Sequence, residues 1–182
     1  MSSTSVPQPA VDRMVDPAGR PVVVGVVPGQ PDLVPLTAAS WARAVGAPAM
    51  RLAYVDTSRY VVEEHADGGV THAPLDPDAA DDSWERILGT MREHLAGVLA
   101  DAAVPWRLDY LAGRPDRALT HLARAVDAAA IVVGTRAPGS AAHLRELLEG
   151  SVAVHLAHHQ HRPVITVPTS VVDWRATKAP WR

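Results

Sequence analysis

The sequence predicts an α/β fold, a five-stranded parallel sheet with helices on both faces. Short β-branched runs alternate along the chain with longer segments in which apolar residues recur every three or four positions. The runs are nearly continuous rather than alternating, which is typical of parallel strands buried on both faces. The resulting order, β-α-β-α-β-α-β-α-β, predicts right-handed crossovers and ligands at the carboxyl ends of the strands.

The first half of the chain predicts two strands and one helix. Residues 21–27 (PVVVGVV) and 49–56 (AMRLAYVD) are the strands. Asp32 is the expected N-cap of the helix between them, and Gly46 ends that helix. We expect residues 57–80, which are polar, acidic and rich in turn residues, to form a loop that is partly disordered. One side of the helix is expected to be lined by Leu33, Leu36, Thr37, Ser40, Trp41, Ala44 and Val45.

The second half predicts two further helix–strand units. From Asp82 the apolar positions follow a helical period, and residues 104–111 then alternate like a strand. A helix begins near Pro115 and leads to a strand at residues 130–133. The inward residues expected in the two helices are Trp84, Ile87, Leu88, Met91, Leu95, Val98 and Leu99, then Ala118, Leu119, Leu122, Ala123 and Val126.

The stretch from Ile131 to Pro168 has the layout of a phosphate site. A β-branched run ends at Gly134, a loop carrying Arg136 and Gly139 follows, and Gly150-Ser151 opens an amphipathic segment before a last strand at residues 164–167. This arrangement brings backbone N–H groups and a helix N-terminus toward the carboxyl ends of strands, which favours an anionic ligand. The same glycines also suit turns and caps that bind nothing, so a ligand is one of two interpretations.

Composition limits the other classes of function. The 182 residues suit one domain at 21–168, preceded by a mobile segment (1–20) and followed by a tail (169–182) that carries Trp174 and Trp181. A net charge of −3 gives no reason to expect nucleic acid, and the lack of Cys excludes thiol chemistry. No signal peptide or membrane span is recognised, so we expect a cytoplasmic protein without membrane contact.

Catalytic and metal motifs are not found in the sequence. It has no Gly-x-Ser-x-Gly elbow, no Walker lysine motif and no His-Glu-x-x-His, so no residue is assigned a catalytic role. His155 and His159 have the spacing of two ligands on one helix face, with His158 and His161 nearby. Histidines near a helix C-terminus also suit the helix dipole, and we assign no metal.

Several segments together resemble the universal stress protein family, over roughly residues 21–168. They are Val22-Val23-Val24-Gly25-Val26, Gly113-Arg114-Pro115 with Ala118, Leu119 and Ala123, Ile131 through Arg136, and Gly150-Ser151-Val152 through Arg162-Pro163-Val164. The resemblance implies a Rossmann-like fold of the adenine nucleotide alpha hydrolase type, commonly dimeric. It also implies ATP or another adenine nucleotide as ligand.

The residues that the resemblance assigns to the nucleotide lie in two places. Phosphates are expected around Gly134, Arg136 and Gly139 and at the helix start Gly150-Ser151-Val152, and adenine beside the backbone of Val55. The family's glycine signature, G-x2-G-x9-G followed by Ser or Thr, is altered. Ala137 stands at its second glycine, and fifteen residues rather than twelve separate Gly134 from Gly150. Val27-Pro28 stands where nucleotide-binding members carry an Asp after the first strand.

Two functions from different classes remain open. The leading interpretation is a stress-response domain that forms a homodimer and binds an adenine nucleotide as a regulatory ligand. The alternative is an interaction module of the same fold that binds no nucleotide and acts on an unidentified protein partner. There residues 164–167 pair across a two-fold axis, with the Trp174/Trp181 tail on the partner subunit. Slow ATP hydrolysis is a third option, for which no general base is found.

Overall fold

The computed structural model describes residues 11–76, 83–135 and 152–169. These ranges contain one short 3-10 turn (Val11–Arg13), seven strands and four helices. None of the helices in these ranges has the length and apolarity needed to cross a membrane. The strands are β1 (Val22–Gly25), β2 (Met50–Asp56), β3 (Arg59–Glu64), β4 (Val70–Pro74), β5 (Trp106–Ala112), β6 (Ala130–Gly134) and β7 (Val164–Val167). The helices are α1 (Leu33–Ala44), α2 (Ser83–Val98), α3 (Pro115–Ala125) and α4 (Val152–His159).

Five of the strands form one parallel sheet in the order β5-β2-β1-β6-β7. β1 lies at its centre, where Val22 is in register with Met50 of β2 on one side and with Ala130 of β6 on the other. The chain therefore runs outward from β1 through β2 to β5 and then crosses to the other half of the sheet. The predicted fold class is confirmed.

Helices cover both faces of this sheet. Val22 and Val24 pack into a cluster with residues of α1 and α2, whereas Val23 packs into a second cluster with residues of α3 and α4. All three valines are fully buried, because successive side chains of a central strand point to opposite, covered faces. The predicted inward faces of α2 and α3 are confirmed by burial of Met91 and Leu95 and of Leu119 and Leu122.

The expected inward face of α1 is wrong in part: Trp41 and Val45 pack against the core as predicted, but the buried face is shifted by about one residue. Leu33 and Leu36 are exposed at 52% and 47%, and the fully or nearly buried positions are Val34, Ala38 and Ala42. These small side chains let the helix approach the sheet closely, whereas the sequence interpretation favoured the larger leucines. Asp32 precedes α1 as expected but makes no side-chain cap hydrogen bond. Its carboxylate contacts His94 Nε2 of α2 at 2.8 Å instead.

The expectation of a loop is also wrong for residues 57–76, since β3 and β4 form an antiparallel hairpin there, and residues 77–80 lie outside the described residues. Its strands contain the β-branched and aromatic residues that favour β structure, among them Tyr60, Val61 and Val70. The turn between the strands includes Gly68, whose φ of +85° suits glycine. Most hairpin positions are exposed or half-buried. Charged side chains can therefore stand among them, and they interrupt the apolar pattern by which strands are predicted.

A buried ion-pair network holds the turn of the hairpin against the sheet. Arg51 of β2 donates two hydrogen bonds to Asp109 of β5, at 2.7 and 3.0 Å, and one to the Asp67 carbonyl at 3.2 Å. Arg107 contacts both Asp109, at 2.8 Å, and the Asp67 carboxylate, at 3.3 Å. Since Arg51 and Asp109 are both buried, each charge is compensated only while the hairpin and the two strands stay together.

A ring cluster holds the open end of the hairpin. The His72 ring lies 4.8 Å from the ring of Tyr110 and 5.1 Å from that of Trp84, measured between centroids. His72 Nδ1 accepts a hydrogen bond of 2.8 Å from Arg59 Nε, and the Arg59 guanidinium lies 6.0 Å above the Trp84 ring. The contact requires His72 Nδ1 to be unprotonated, so the cluster is built around a neutral imidazole.

The amino edge of the sheet is tied down by three charged side chains. Arg162, which is buried, donates to the Ala128 carbonyl at 2.9 Å and to the Asp127 carboxylate at 3.2 Å. Arg20 pairs with the same carboxylate, and the neighbouring Gly19 N–H donates to the Val45 carbonyl at 3.1 Å. Residues 19 and 20 of the segment predicted to be mobile therefore have defined partners.

We predict that the stability of the fold rises with pH because of His72. Burial, and next the Arg59 cation, lower the pKa of His72 below its ordinary value of 6.5. The unfolded chain then binds more protons than the folded chain between the two values, so this contribution is complete above 6.5 and is lost on acidification. Urea unfolding between about pH 5 and about pH 7.5 measures it.

The variant His72→Gln keeps a hydrogen-bond acceptor for Arg59 but does not titrate. It is expected to flatten the pH dependence of the unfolding free energy. His65→Gln, on the exposed part of the same hairpin, serves as the matched control. An unchanged pH dependence in His72→Gln would contradict the assignment.

Candidate functional site

The carboxyl ends of β1 and β6 lie side by side at the centre of the sheet. From β1 the chain proceeds through α1 to β2 on one side, whereas β6 has β7 on its other side. Strand order reverses between β1 and β6, and in open α/β sheets such a reversal leaves a crevice between the loops that follow the strands. The ends of β1, β2 and β6 therefore form the candidate site.

The loop after β1 carries apolar side chains and a tight turn. Gln30 N–H donates to the Val27 carbonyl at 3.3 Å, and the Gln30 side-chain oxygen accepts from Val27 N–H at 3.2 Å. Gly29 has a φ of +70°, which this turn requires. The Val27 side chain is 50% exposed, so β1 ends in an apolar surface rather than a carboxylate.

The backbone of Val55 faces the crevice. Backbone polar groups alternate along a strand, and the Asp56 carbonyl accepts from Gly113 N–H beyond β5, so Val55 directs its N–H and C=O toward β1. Val26 N–H donates to the Ala53 carbonyl at 2.9 Å, and Val55 is the next residue of β2 whose backbone groups point toward β1. After Val26 the chain leaves β1 and enters the loop. A donor and an acceptor of Val55 thus lie beside the end of β1.

Asp56, which the sequence analysis did not single out, fixes the end of β2. Its carboxylate accepts from Ser58 N–H and Ser58 Oγ, at 2.8 and 2.6 Å, and from the Tyr110 hydroxyl at 2.5 Å. Burial raises the pKa of Asp56, but these hydrogen bonds outweigh it and lower the pKa overall. The carboxylate stays ionised and positions the strand end beside Val55. An acidic residue closing a predicted strand was the available signal.

Gly134 is required by close packing at the end of β6. A Cβ at this position would lie 2.9 Å from Val34 Cγ2 and 3.0 Å from Thr169 Cγ2. Beyond it, Thr135 N–H donates to the Val167 carbonyl at 2.8 Å, and Thr169 N–H donates to Thr135 Oγ1 at 3.0 Å. The lack of a side chain at Gly134 thus allows β6, α1 and the segment after β7 to pack closely, and this role is independent of any ligand.

The remaining predicted site residues are only partly covered by the structure. Val152 begins α4 and packs against the cluster between α3, α4 and the sheet. Arg136, Gly139, Gly150 and Ser151 lie outside the described residues. Of the seven residues predicted from the sequence, the structure therefore describes Val55, Gly134 and Val152, and Val55 and Gly134 both lie near strand ends at the carboxyl edge.

The four histidines that the sequence analysis assigned to no metal lie on and after α4. His155 and His159 stack with ring centroids 5.8 Å apart. Within residues 11–76, 83–135 and 152–169 no group of three or more His, Asp or Glu side chains is arranged to hold a metal ion.

A central parallel sheet, a crevice at the strand-order reversal and backbone groups turned toward it define a Rossmann-like α/β protein. The sequence profile of the universal stress protein family matches residues 5–168. The chain belongs to this family. A comparison with curated protein sequences returned no match.

Solved structures show the same fold. The universal stress protein from Archaeoglobus fulgidus is 21% identical, with a TM-score of 0.56 over 82% of this chain and 93% of that one. A universal stress protein in complex with cAMP is 24% identical, with a TM-score of 0.56 over 84% and 99% of the two chains. The Archaeoglobus fulgidus protein in complex with dAMP is 19% identical, with a TM-score of 0.53 over 81% and 96%.

We predict that Gly134→Ala destabilises the fold by about 1–3 kcal/mol, because its methyl group overpacks the contact with Val34. The combined Val34→Ala/Gly134→Ala variant should lose less stability than the sum of the two single variants. Gly89→Ala in α2, where a Cβ meets open space, is the control and should be neutral or stabilising. Urea unfolding measures all four, and additive losses would contradict the steric explanation.

Proposed function

We propose that this protein binds an adenine nucleotide in the crevice between β1 and β6 and acts in the cytoplasm as a regulatory stress-response domain. The observation that carries the proposal is the backbone of Val55, which presents a donor and an acceptor beside the end of β1. An adenine ring has complementary donor and acceptor groups on its edge. Universal stress proteins of the same fold have been solved with cAMP and with dAMP, which supports this ligand class.

The phosphates are assigned to the opposite side of the crevice. Gly134 ends β6 there, and the sequence that follows contains Arg136 and Gly139. Gly150 and Ser151 directly precede α4, which begins at Val152. Backbone N–H groups and the positive end of a helix dipole favour anions at such a position. Arg136 supplies a positive charge in this proposal.

The apolar end of β1 affects how the sugar of the nucleotide is bound. Val27 and Pro28 offer no carboxylate that could accept a hydrogen bond from ribose hydroxyls. The proposed site therefore gains little from the 2′-hydroxyl, and we expect ATP and dATP to bind with similar affinity. The known complex of a structural neighbour with dAMP is consistent with a deoxyribose in this fold.

The nucleotide proposal predicts saturable binding of ATP and dATP in isothermal titration calorimetry, with cAMP as the cyclic comparison. Gly150→Asp should weaken ATP binding by more than about tenfold, because its carboxylate repels the phosphates at the helix start. Gly97→Asp, on an exposed turn of α2 where a side chain meets open space, is the matched control and should bind as the wild type. Absence of saturation with all three nucleotides would overturn the proposal.

The edge of β7 favours a second candidate function, a homodimeric interaction module that recruits an unidentified protein partner. Among the described strands β7 pairs only with β6, whereas the other edge strand, β5, lies against the β3–β4 hairpin. The Pro163 and Val167 carbonyls accept bonds from Ile131 and Thr135. By alternation, the polar groups of Val164 and Thr166 point away from β6. An unpaired edge of this kind can pair with a second copy of itself across a two-fold axis.

Thr166→Pro tests pairing through β7. Proline removes the outward N–H while the bonds to β6 are kept, so the variant is expected to be monomeric. Thr166→Val retains the N–H and should remain dimeric like the wild type. Light scattering after size-exclusion chromatography gives the masses. A monomeric wild type, or a dimeric Thr166→Pro variant, would contradict this interface.

A further inference from the structure

A second cleft lies between the loop after β1 and helix α2, and its α2 wall takes no part in the proposed nucleotide site. It has a volume of about 560 Å³. Small-molecule sites in proteins commonly occupy about 300–1,000 Å³ and are lined mainly by apolar side chains with a few polar groups. The volume of this cleft lies in that range, and its lining combines apolar side chains with a few polar ones.

The walls of the cleft are apolar. Val26 and Pro35 line one side, and Ile87, Met91 and Leu95 of α2 line the other. Met91 and Leu95 are 7% and 3% exposed and belong to the core. The α2 wall of the cleft is therefore held in place by the packing of α1 and α2 in that core. A ligand here would bury aliphatic or aromatic surface against a preformed wall.

The charged side chains of the cleft differ in whether they have a partner among the described residues. Asp32 and His94 contact each other at 2.8 Å, so each offers the other a partner. Arg86 lines the same cleft and makes no ion pair with any residue in the part of the chain that the structure describes. Thr90, exposed between them, adds a hydroxyl at the mouth.

We infer that this cleft binds a small amphipathic anion, an apolar body with a single carboxylate or sulfonate that Arg86 meets at the mouth. A nucleotide is a poor match, because several phosphates would face one arginine and the Asp32 carboxylate. The inference goes beyond the proposed function and does not depend on it. The cleft nevertheless shares the loop of Val26–Gln30 with the crevice, so its ligand would contact the loop that follows β1.

The test uses the full chain and two probes of this chemistry, the fluorescent anilinonaphthalene sulfonate and decanoate, with decanol as the uncharged comparison. The expected result is saturable one-to-one binding of the sulfonate probe, displaced by decanoate. Arg86→Gln should weaken decanoate by about two- to fivefold, the range of one exposed ion pair, and leave decanol unchanged.

Two tryptophan variants locate the binding site. Thr90→Trp fills the mouth of the cleft and should abolish binding of both probes. Glu93→Trp adds the same side chain at an exposed position of α2 outside the cleft and should bind as the wild type. Circular dichroism and urea unfolding verify that both variants fold, since both positions are exposed.

Two outcomes would overturn the inference. The first is the absence of saturable binding in the wild type, and the second is equal binding in Thr90→Trp and Glu93→Trp. Titration with ATP is run separately, so loss of nucleotide binding and loss of probe binding are distinguishable.

Discussion

The structure depends on the pairing of β1 on both of its edges within a sheet covered on both faces. Val22, Val23 and Val24 are fully buried. Val22 and Val24 pack into the core on one face of the sheet, and Val23 packs into the core on the other. Because β1 is central, β2 and β6 must both align with it, and their carboxyl ends arrive at one edge. The crevice is a consequence of this topology rather than of any single loop.

The two edge strands of the sheet, β5 and β7, differ in what covers them. β5 carries Asp109, whose buried charge is compensated by Arg51 and Arg107, and the same arginines contact Asp67 in the hairpin turn. The hairpin therefore lies against β5 for an electrostatic reason as well as an apolar one. β7 has no such cover among the described residues, and by alternation the backbone polar groups of Val164 and Thr166 point away from β6.

The sequence predicted the parts of the fold that bury continuous apolar surface. The five parallel strands and the inward faces of α2 and α3 follow from period and composition. The hairpin was missed because Glu63, Glu64 and Asp67 interrupt its apolar positions, and because much of its stabilisation comes from contacts with distant residues such as Arg51. The face of α1 was shifted because Ala38 and Ala42 bury well without being strongly hydrophobic.

At the site, Gly134 lies at the carboxyl edge of the sheet, but the sequence could not separate packing from ligand contact as the reason for a glycine there. Gly134 illustrates this, since its contacts with Val34 and Thr169 account for glycine without a phosphate. Asp56 was overlooked because its importance lies in bonds to Ser58 and Tyr110 that only the folded chain assembles. The family resemblance added the positions for which single-sequence patterns give no signal.

Val55 shows how a strand can present backbone polar groups independently of its side chains. Its N–H and C=O point toward the end of β1 because of its position in β2, whichever side chain is attached. Substitution at residue 55 by another strand-forming residue leaves these groups in place, whereas deletion of one residue within β2 turns them toward β5. A ligand contact made only by these groups would therefore tolerate a change of side chain at residue 55 but not a change in the length of β2.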